Sequence, residues 1–360
     1  MNKWPAFLFC FFTISAAAAQ DTLRLHEYLQ RHRYTIDFTS DHAFSMLPQL
    51  MNGKNVLVLG EGGNHELSMY ATLKPALVNQ LAKQNLKYFL IESGRTTAFF
   101  MNNYLHDGYN DCPKYMERFC DLCNRMKPAT QAGSTFKVVG IDFEFTWDFH
   151  ESMQYLLGNV ALDKCPHARA LITELLDTGY MAFSYADFYK FGKFYREKQE
   201  QLYADSSAIR TELGDKYADL LYFLSNPNVT RPNKDRNGAL AQNLLAEIMP
   251  LDTSAVYFLS TGIAHSLPCE SYSAIHKALK NEELRSRTIV MNVHCEQCAV
   301  QGKAMTGRSP MKFLNEEDIK ACLSNAANAE IVLFDLSALP PEYDNIKKYG
   351  DLLLFARNQR

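Results

Sequence analysis

Short apolar runs bounded by Gly, Asp or Ser recur along the chain and predict its strands. They are 55–60 (NVLVLG), 87–92 (KYFLIE), 136–142 (FKVVGID), 254–260 (SAVYFLS), 288–293 (TIVMNV), 331–336 (IVLFDL) and 352–356 (LLLFA). Apolar residues follow one another in these runs with little alternation, which is typical of strands buried on both faces of a mostly parallel sheet. The pattern therefore predicts a parallel central sheet.

Segments with helical spacing lie between several of these runs. One helix is marked by Leu67, Tyr70, Leu73, Leu77 and Leu81. A second is marked by leucines at 240, 244 and 245 and by Ile248, with Asp235 as its expected N-cap. Alternation of strand and helix predicts an α/β fold, a mostly parallel central sheet flanked by helices.

One stretch, about residues 150–234, has helical patterns and no good strand, and we interpret it as a helical insertion. It is rich in Tyr and Phe between Tyr180 and Tyr195. These aromatic side chains either pack the insertion against the sheet or form a cap that lines a substrate pocket.

Composition bounds the kind of partner. The chain has 360 residues, 47% of them hydrophobic and 21% charged, with a formal net charge of -3. Acidic and basic residues are interspersed, so nothing favours nucleic acid or an anionic membrane as a partner. A small-molecule or peptide substrate fits this balance better.

The N-terminus resembles a secretory signal peptide. Lys3 precedes an apolar run that ends in small residues at 15–19, and cleavage after Ala19 would leave Gln20 first. The apolar stretch is shorter than the roughly 20 residues of a spanning helix, so we expect no stable membrane span. The sequence thus predicts an exported protein, periplasmic or secreted, with a signal peptide at 1–19 and one α/β domain at 20–360.

Export changes the interpretation of the cysteines, because an oxidising compartment allows thiols to pair. Eight cysteines follow residue 19, enough for up to four disulfides of undetermined connectivity. The C-x-x-C pairs Cys120/Cys123 and Cys295/Cys298 leave a zinc site as an alternative.

Ionisable residues stand where four predicted strands end. Glu61 and His65 follow the first strand, Glu92 ends the second, Asp142 and Glu144 follow the third, and His265 comes after the fourth. In an open parallel sheet this edge is where ligands bind. The sequence therefore predicts an active site here, centred on His65 and His265.

Several chemistries are poorly supported. The chain lacks a P-loop motif, a G-x-S-x-G elbow and the second His of a zincin helix after His65-Glu66. A water nucleophile is the better hypothesis, with a neutral imidazole as base, a carboxylate to orient the water, and a cation to stabilise the oxyanion.

At these residues the sequence resembles the erythromycin esterase family, within a wider grouping that includes the ChaN-like, TraB and Tiki proteins. The resemblance spans roughly residues 54–300. It rests on the order of these motifs: Gly60-Glu61, His65, Lys74, Ile91-Glu92, Gly140-Ile141-Asp142, Asp235-Arg236-Asn237, Leu240-Ala241-Gln242-Asn243 and His265.

The resemblance implies a hydrolase of an ester, a lactone or a related acyl bond. His65 would be the base, Glu61 and Glu92 would orient water or the base, and His265 would stabilise negative charge. Lys74, Arg236 and Asp142 would bind the substrate. No cofactor is expected on this interpretation.

Gly262 stands where the esterases have an additional His, and Gly-x-x-His is closer to the Tiki and TraB branch. This leaves two alternatives. One is a metal-dependent peptidase with a divalent metal held by His65, His265 and Glu61, and the other is a ChaN-like protein that binds haem or another large ligand without catalysis.

Overall fold

A computed structural model describes most of the chain. It covers residues 24–38, 40, 42–62, 69–106, 112, 116–182, 188–226, 235–296, 299–300, 303–304, 322, 324–326 and 331–357. The predicted signal peptide lies outside these residues and stays a prediction, as does the division into domains.

Each predicted run forms a strand. The strands are β1 (Arg33–Thr35), β2 (Val56–Glu61), β3 (Leu86–Ile91), β4 (Lys137–Gly140), β5 (Val256–Gly262), β6 (Thr288–Glu296), β7 (Ala299–Val300), β8 (Lys303–Ala304), β9 (Ile331–Asp335) and β10 (Leu352–Arg357). The pattern missed β1, β7 and β8, which are two or three residues long and therefore too short to show a period.

Eight strands form one sheet in the order β1-β9-β10-β6-β2-β5-β3-β4. The strands from β10 to β4 pair in parallel, whereas β9 is antiparallel to both β10 and β1. The mostly parallel sheet is thus confirmed, with an antiparallel edge that the run of β9 did not reveal. β2 and β5 are interior strands and are buried along their whole length, as their continuous apolar sequences predict.

Helices cover the sheet. Their bounds are Leu47–Met51, Tyr70–Ala82, Arg95–His106, Glu117–Gln131, Thr146–Leu157, Arg169–Leu176, Phe188–Ala204, Ser206–Leu213, Lys216–Leu224, Arg236–Ile248, Ile263–Ser266, Ala274–Ala278, Glu282–Arg287 and Asp344–Lys347. Asp235 caps the helix Arg236–Ile248 as predicted, because its side chain accepts a hydrogen bond from the Gly238 amide at 3.0 Å.

Between β4 and β5 the described residues form helices and no strand, as the pattern predicts. These helices have a hydrophobic core of their own, which includes the buried rings of Phe149, Tyr180, Phe191 and Tyr195. Such burial supports the packing interpretation for these aromatic side chains.

The cysteines pair only in part. Cys120 forms a disulfide with Cys112 rather than with Cys123, and Cys295 is also disulfide-bonded. Free thiols among the described residues include Cys123, Cys165 and Cys269. Within the described ranges no helix is both long and apolar enough to cross a membrane.

Candidate active site

The carboxyl ends of β2, β5, β3 and β4 lie side by side at one edge of the sheet. In the strand register Glu61 is opposite Gly262, while Ile91 is opposite both Ser260 and Gly140. The residues that follow these positions therefore meet at the same edge. Glu92, Asp142 and His265 lie close to one another at this edge, around Arg236.

Glu92 is the centre of the cluster, and both of its carboxylate oxygens accept hydrogen bonds. Oε1 is 2.7 Å from Nη2 of Arg236 and 3.2 Å from Nε2 of His265. Oε2 accepts from the Thr261 hydroxyl and from the Gly262 amide, both at 2.7 Å. The Glu92 carboxylate thus links strand β5 to the side chains of Arg236 and His265.

Arg236 is held between two carboxylates. Its Nε donates to Oδ1 of Asp142 at 3.1 Å, its Nη2 donates to Oδ2 of the same residue, and its guanidinium lies 5.0 Å from the ring centre of Phe143. Burial lowers the pKa of Arg236, but the hydrogen bonds and charges of Asp142 and Glu92 reverse this and raise it. Burial raises the pKa of Asp142, although Arg236 acts in the opposite direction. Arg236 is therefore a permanent cation in this cluster.

His265 lies in the short helix Ile263–Ser266, directly after β5. Its Nδ1 contacts the side-chain oxygen of Asn237, and its Nε2 lies 3.4 Å from Nη1 of Arg236 as well as close to Glu92. Both ring nitrogens therefore have polar partners within the protein.

Glu61 belongs to a second cluster beside the first. Its Oε1 is 2.8 Å from Nζ of Lys74 and accepts from the Ser260 hydroxyl at 2.5 Å. Lys74 projects from the helix Tyr70–Ala82, and the Tyr70 hydroxyl donates to the Gly62 carbonyl at 2.8 Å. Burial first, and the charge of Glu61 second, raise the pKa of Tyr70 well above its ordinary value. The two clusters are joined through consecutive residues of β5, from Ser260 to Gly262.

Two glycines allow β2 to lie against β6 at this edge. A Cβ at Gly60 would fall 1.8 Å from Oδ1 of Asn292, and one at Gly62 would fall 1.9 Å from the carbonyl oxygen of Val293. Neither position has room for a side chain, which is the structural reason for glycine here.

His65 lies outside the described residues, so its role as the base stays a prediction. Glu144 lies in the described part of the chain but not in the cluster. Its carboxylate accepts from the amides of Arg95 and Thr96 at 2.8 and 3.1 Å, at the start of the helix Arg95–His106. Burial raises the pKa of Glu144, and these hydrogen bonds oppose that rise. It is a helix-capping carboxylate rather than a ligand at the strand edge.

The proposed metal ligands Glu61 and His265 lie among the described residues, whereas His65 does not. Among the described residues no group of three or more His, Cys, Asp or Glu side chains could hold a metal ion. Glu61 contacts a lysine ammonium, whereas His265 contacts Glu92, Arg236 and Asn237. In these contacts Glu61 and His265 have different partners, and the metal-dependent alternative stays a prediction.

Sequence reasoning missed the contacts made by Asn237, Ser260 and Thr261. Asn237 follows Arg236 directly, and Ser260 and Thr261 end the fourth predicted strand, so their positions pointed to the edge. Their residue types did not, since Ser, Thr and Asn are common at strand and helix ends for structural reasons.

Comparison with known proteins shows similarity at the level of the fold. No family model and no curated protein matches the sequence. A solved succinoglycan biosynthesis protein matches with a TM-score of 0.62 and 13% identity, over 93% of this chain and 97% of that chain. A Bacillus cereus protein matches with a TM-score of 0.59 and 13% identity over the same shares. A mutant of the erythromycin esterase EreC, in its open conformation, matches with a TM-score of 0.55 and 14% identity, over 91% of this chain and 97% of that chain.

The chain therefore has the fold of erythromycin esterase-like proteins, as its motifs predicted.

Proposed function

We propose that this protein is a hydrolase of the erythromycin esterase-like type, which uses His65 to activate water for attack on an ester, a lactone or a related acyl bond. The observation that carries the proposal is the Glu92–Arg236–Asp142–His265 cluster at the ligand-binding edge of the sheet. Its charges are held in place before any substrate arrives, which is what stabilisation of a developing oxyanion requires.

In this mechanism His65 takes a proton from water, and the resulting hydroxide adds to the carbonyl carbon. The oxyanion of the tetrahedral intermediate is stabilised by Arg236, whose Nη1 lies 3.4 Å from Nε2 of His265. Collapse of the intermediate releases the alcohol, which receives the proton from His65, and leaves the carboxylic acid. Glu61 and Glu92 orient the base and the positive groups.

The charge balance of the cluster favours neutral acyl substrates over phosphate esters. Lys74 and Arg236 are each paired with a carboxylate, and Arg236 lies between two. A phosphate would meet these carboxylates as well as the cations, whereas a neutral carbonyl group gains negative charge only during the reaction. Arg236 remains reachable, since its side chain is 34% exposed.

The test is hydrolysis of a panel of carboxylic esters and lactones by the purified protein, with mass spectrometry to detect addition of water. We expect His65→Ala and His265→Ala each to abolish the activity without unfolding the protein. His276→Ala is the matched control. The His276 ring contacts the Pro268 carbonyl at 2.8 Å, which lies outside the Glu92–Arg236–Asp142–His265 cluster. Activity that persists in both site variants would contradict the proposal.

A chelator separates this scheme from a metal-dependent peptidase. We expect wild-type hydrolysis to survive chelator treatment and the purified protein to carry no stoichiometric metal. Loss of activity together with a bound zinc, manganese or cobalt ion would contradict the metal-free mechanism.

We also infer that the protein is exported. Two observations support this: the signal-like residues 1–19 and the Cys112–Cys120 disulfide, which is typical of oxidising compartments.

A further inference from the structure

The ring of His265 has unlike surroundings at its two nitrogens. Nε2 lies between an acceptor, Oε1 of Glu92 at 3.2 Å, and a donor, Nη1 of Arg236 at 3.4 Å. Nδ1 instead contacts the side-chain oxygen of Asn237. In this orientation of the Asn237 amide the oxygen can only accept, so Nδ1 carries the proton.

We propose that Asn237 is a positioning residue that holds the uncharged His265 ring in the tautomer with its proton on Nδ1. Nε2 then carries the lone pair and accepts from Arg236. The proposal deepens the function above, on which it rests, because it states which nitrogen of His265 faces the guanidinium and the reacting group.

The opposite tautomer is the physical alternative. With the amide of Asn237 turned around, its NH2 would donate to a bare Nδ1, and Nε2–H would donate to Glu92. That arrangement leaves Nη1 of Arg236 directed at an N–H group. Oε1 of Glu92 also accepts from Nη2 of Arg236 at 2.7 Å, which offsets the negative charge that would attract a proton to Nε2.

The backbone of Asn237 is well placed for this role. It follows Arg236 in the first turn of the helix Arg236–Ile248, whose start is anchored because Asp235 accepts from the Gly238 amide and pairs with Lys277. One helical turn therefore supplies the partners of both ring nitrogens.

A neutral amide has a different effect from a carboxylate at this position. A carboxylate on Nδ1 would add a second negative group to the ring beside Glu92 and favour the imidazolium form. Asn237 fixes the ring orientation without adding charge. The ring can then accept at Nε2 from Arg236 while charge develops in the cleft.

Nuclear magnetic resonance tests the tautomer without any substrate. Protein labelled with ¹⁵N-histidine is studied by long-range ¹H–¹⁵N correlation at a pH where the ring is uncharged, and His265→Gln assigns the signals. In the wild type we expect a protonated Nδ1 and a bare Nε2. Asn237→Ala should reduce the preference for this tautomer by about tenfold, since one hydrogen bond to Nδ1 is lost. Asn237→Asp restores an acceptor, so the Nδ1–H signature should return at a pH high enough to keep the ring uncharged.

Asn243→Ala is the matched control on the same helix. Its amide donates to the Ile141 carbonyl at 2.9 Å, so its loss should lower stability and leave the His265 tautomer unchanged. A wild-type ring protonated on Nε2, or an unchanged tautomer in Asn237→Ala, would overturn the proposal. The wild-type spectrum decides the first point even if the alanine variant fails to fold.

Failure of the proposed function is a separate result. If the wild type hydrolyses no ester or lactone but shows the Nδ1–H signature and its loss in Asn237→Ala, the hydrolase proposal fails and the positioning role of Asn237 stands. If the protein is an esterase, Asn237→Ala should lower kcat with little change in KM.

Discussion

Both carboxylate oxygens of Glu92 accept hydrogen bonds. We therefore expect even the isosteric change Glu92→Gln to lower the free energy of unfolding. Oε1 of Glu92 accepts from Arg236 and lies 3.2 Å from Nε2 of His265, and its Oε2 accepts from Thr261 and Gly262. Glu92→Gln keeps the shape of the side chain but replaces one oxygen by an NH2 group. Whichever way the amide turns, this group faces donors on that side.

The magnitude follows from the contacts that are lost. If the NH2 group faces β5, the Gly262 amide loses its acceptor, and the Thr261 hydroxyl must turn to accept. If it faces the helix Arg236–Ile248, the ion pair with Arg236 is lost and two donors are brought together. A hydrogen bond to a charged group contributes about 1.5–3 kcal/mol, so we expect the free energy of unfolding to fall by about 3 kcal/mol.

Urea unfolding at pH 7 measures this, with Glu247→Gln as the matched control. Glu247 uses a single oxygen, Oε1, which lies 3.4 Å from Nη2 of Arg95 and 2.9 Å from the Tyr222 hydroxyl. A glutamine oxygen can replace it there, and the side chain is 18% exposed, so we expect a loss below about 1 kcal/mol. Equal unfolding midpoints for the two variants would refute the reasoning.

Two other carboxylates give predictions of opposite sign. Lys74→Met removes the ammonium group that pairs with the buried Glu61 carboxylate. We expect the free energy of unfolding in urea to fall by about 2–3 kcal/mol, a figure discounted for the partial exposure of Lys74, and to recover fully in Lys74→Arg. Wild-type stability in Lys74→Met would contradict this. Burial raises the pKa of Asp148 to about 6, although the Thr97 hydroxyl that donates to it acts in the other direction. Folding therefore disfavours its ionisation, and the wild type loses stability as the pH rises from about 4 to 6. Asp148→Asn cannot ionise, so its stability relative to the wild type should increase by about 1–2 kcal/mol between pH 5 and pH 7.5, and a constant difference would rule this out.

Local patterns predicted the elements of the fold well. The strands β2 and β5 are buried on both faces, which is the environment that their continuous apolar runs predict. Asp235 was recognisable as an N-cap because capping depends on residues within one turn of each other. Strand β1 was not predicted, since it is three residues long and mostly exposed.

The location of the site was also predictable, because the carboxyl ends of parallel strands meet at one edge whatever their order. Glu92 and Asp142 follow β3 and β4, and both contact Arg236. Glu144, only two residues beyond Asp142, turns instead to cap a helix. Strand ends alone do not distinguish these two environments.

The sequence by itself determined the elements, the parallel sheet and the edge at which the ionisable residues gather. Only the tertiary structure decided which side chains are partners, as in Arg236 with Glu92, 144 residues apart, and His265 with Asn237, 28 residues apart. The physical reason is range. Apolar periodicity and capping act over a few residues, whereas these contacts depend on strand order and on the way each helix returns to the sheet.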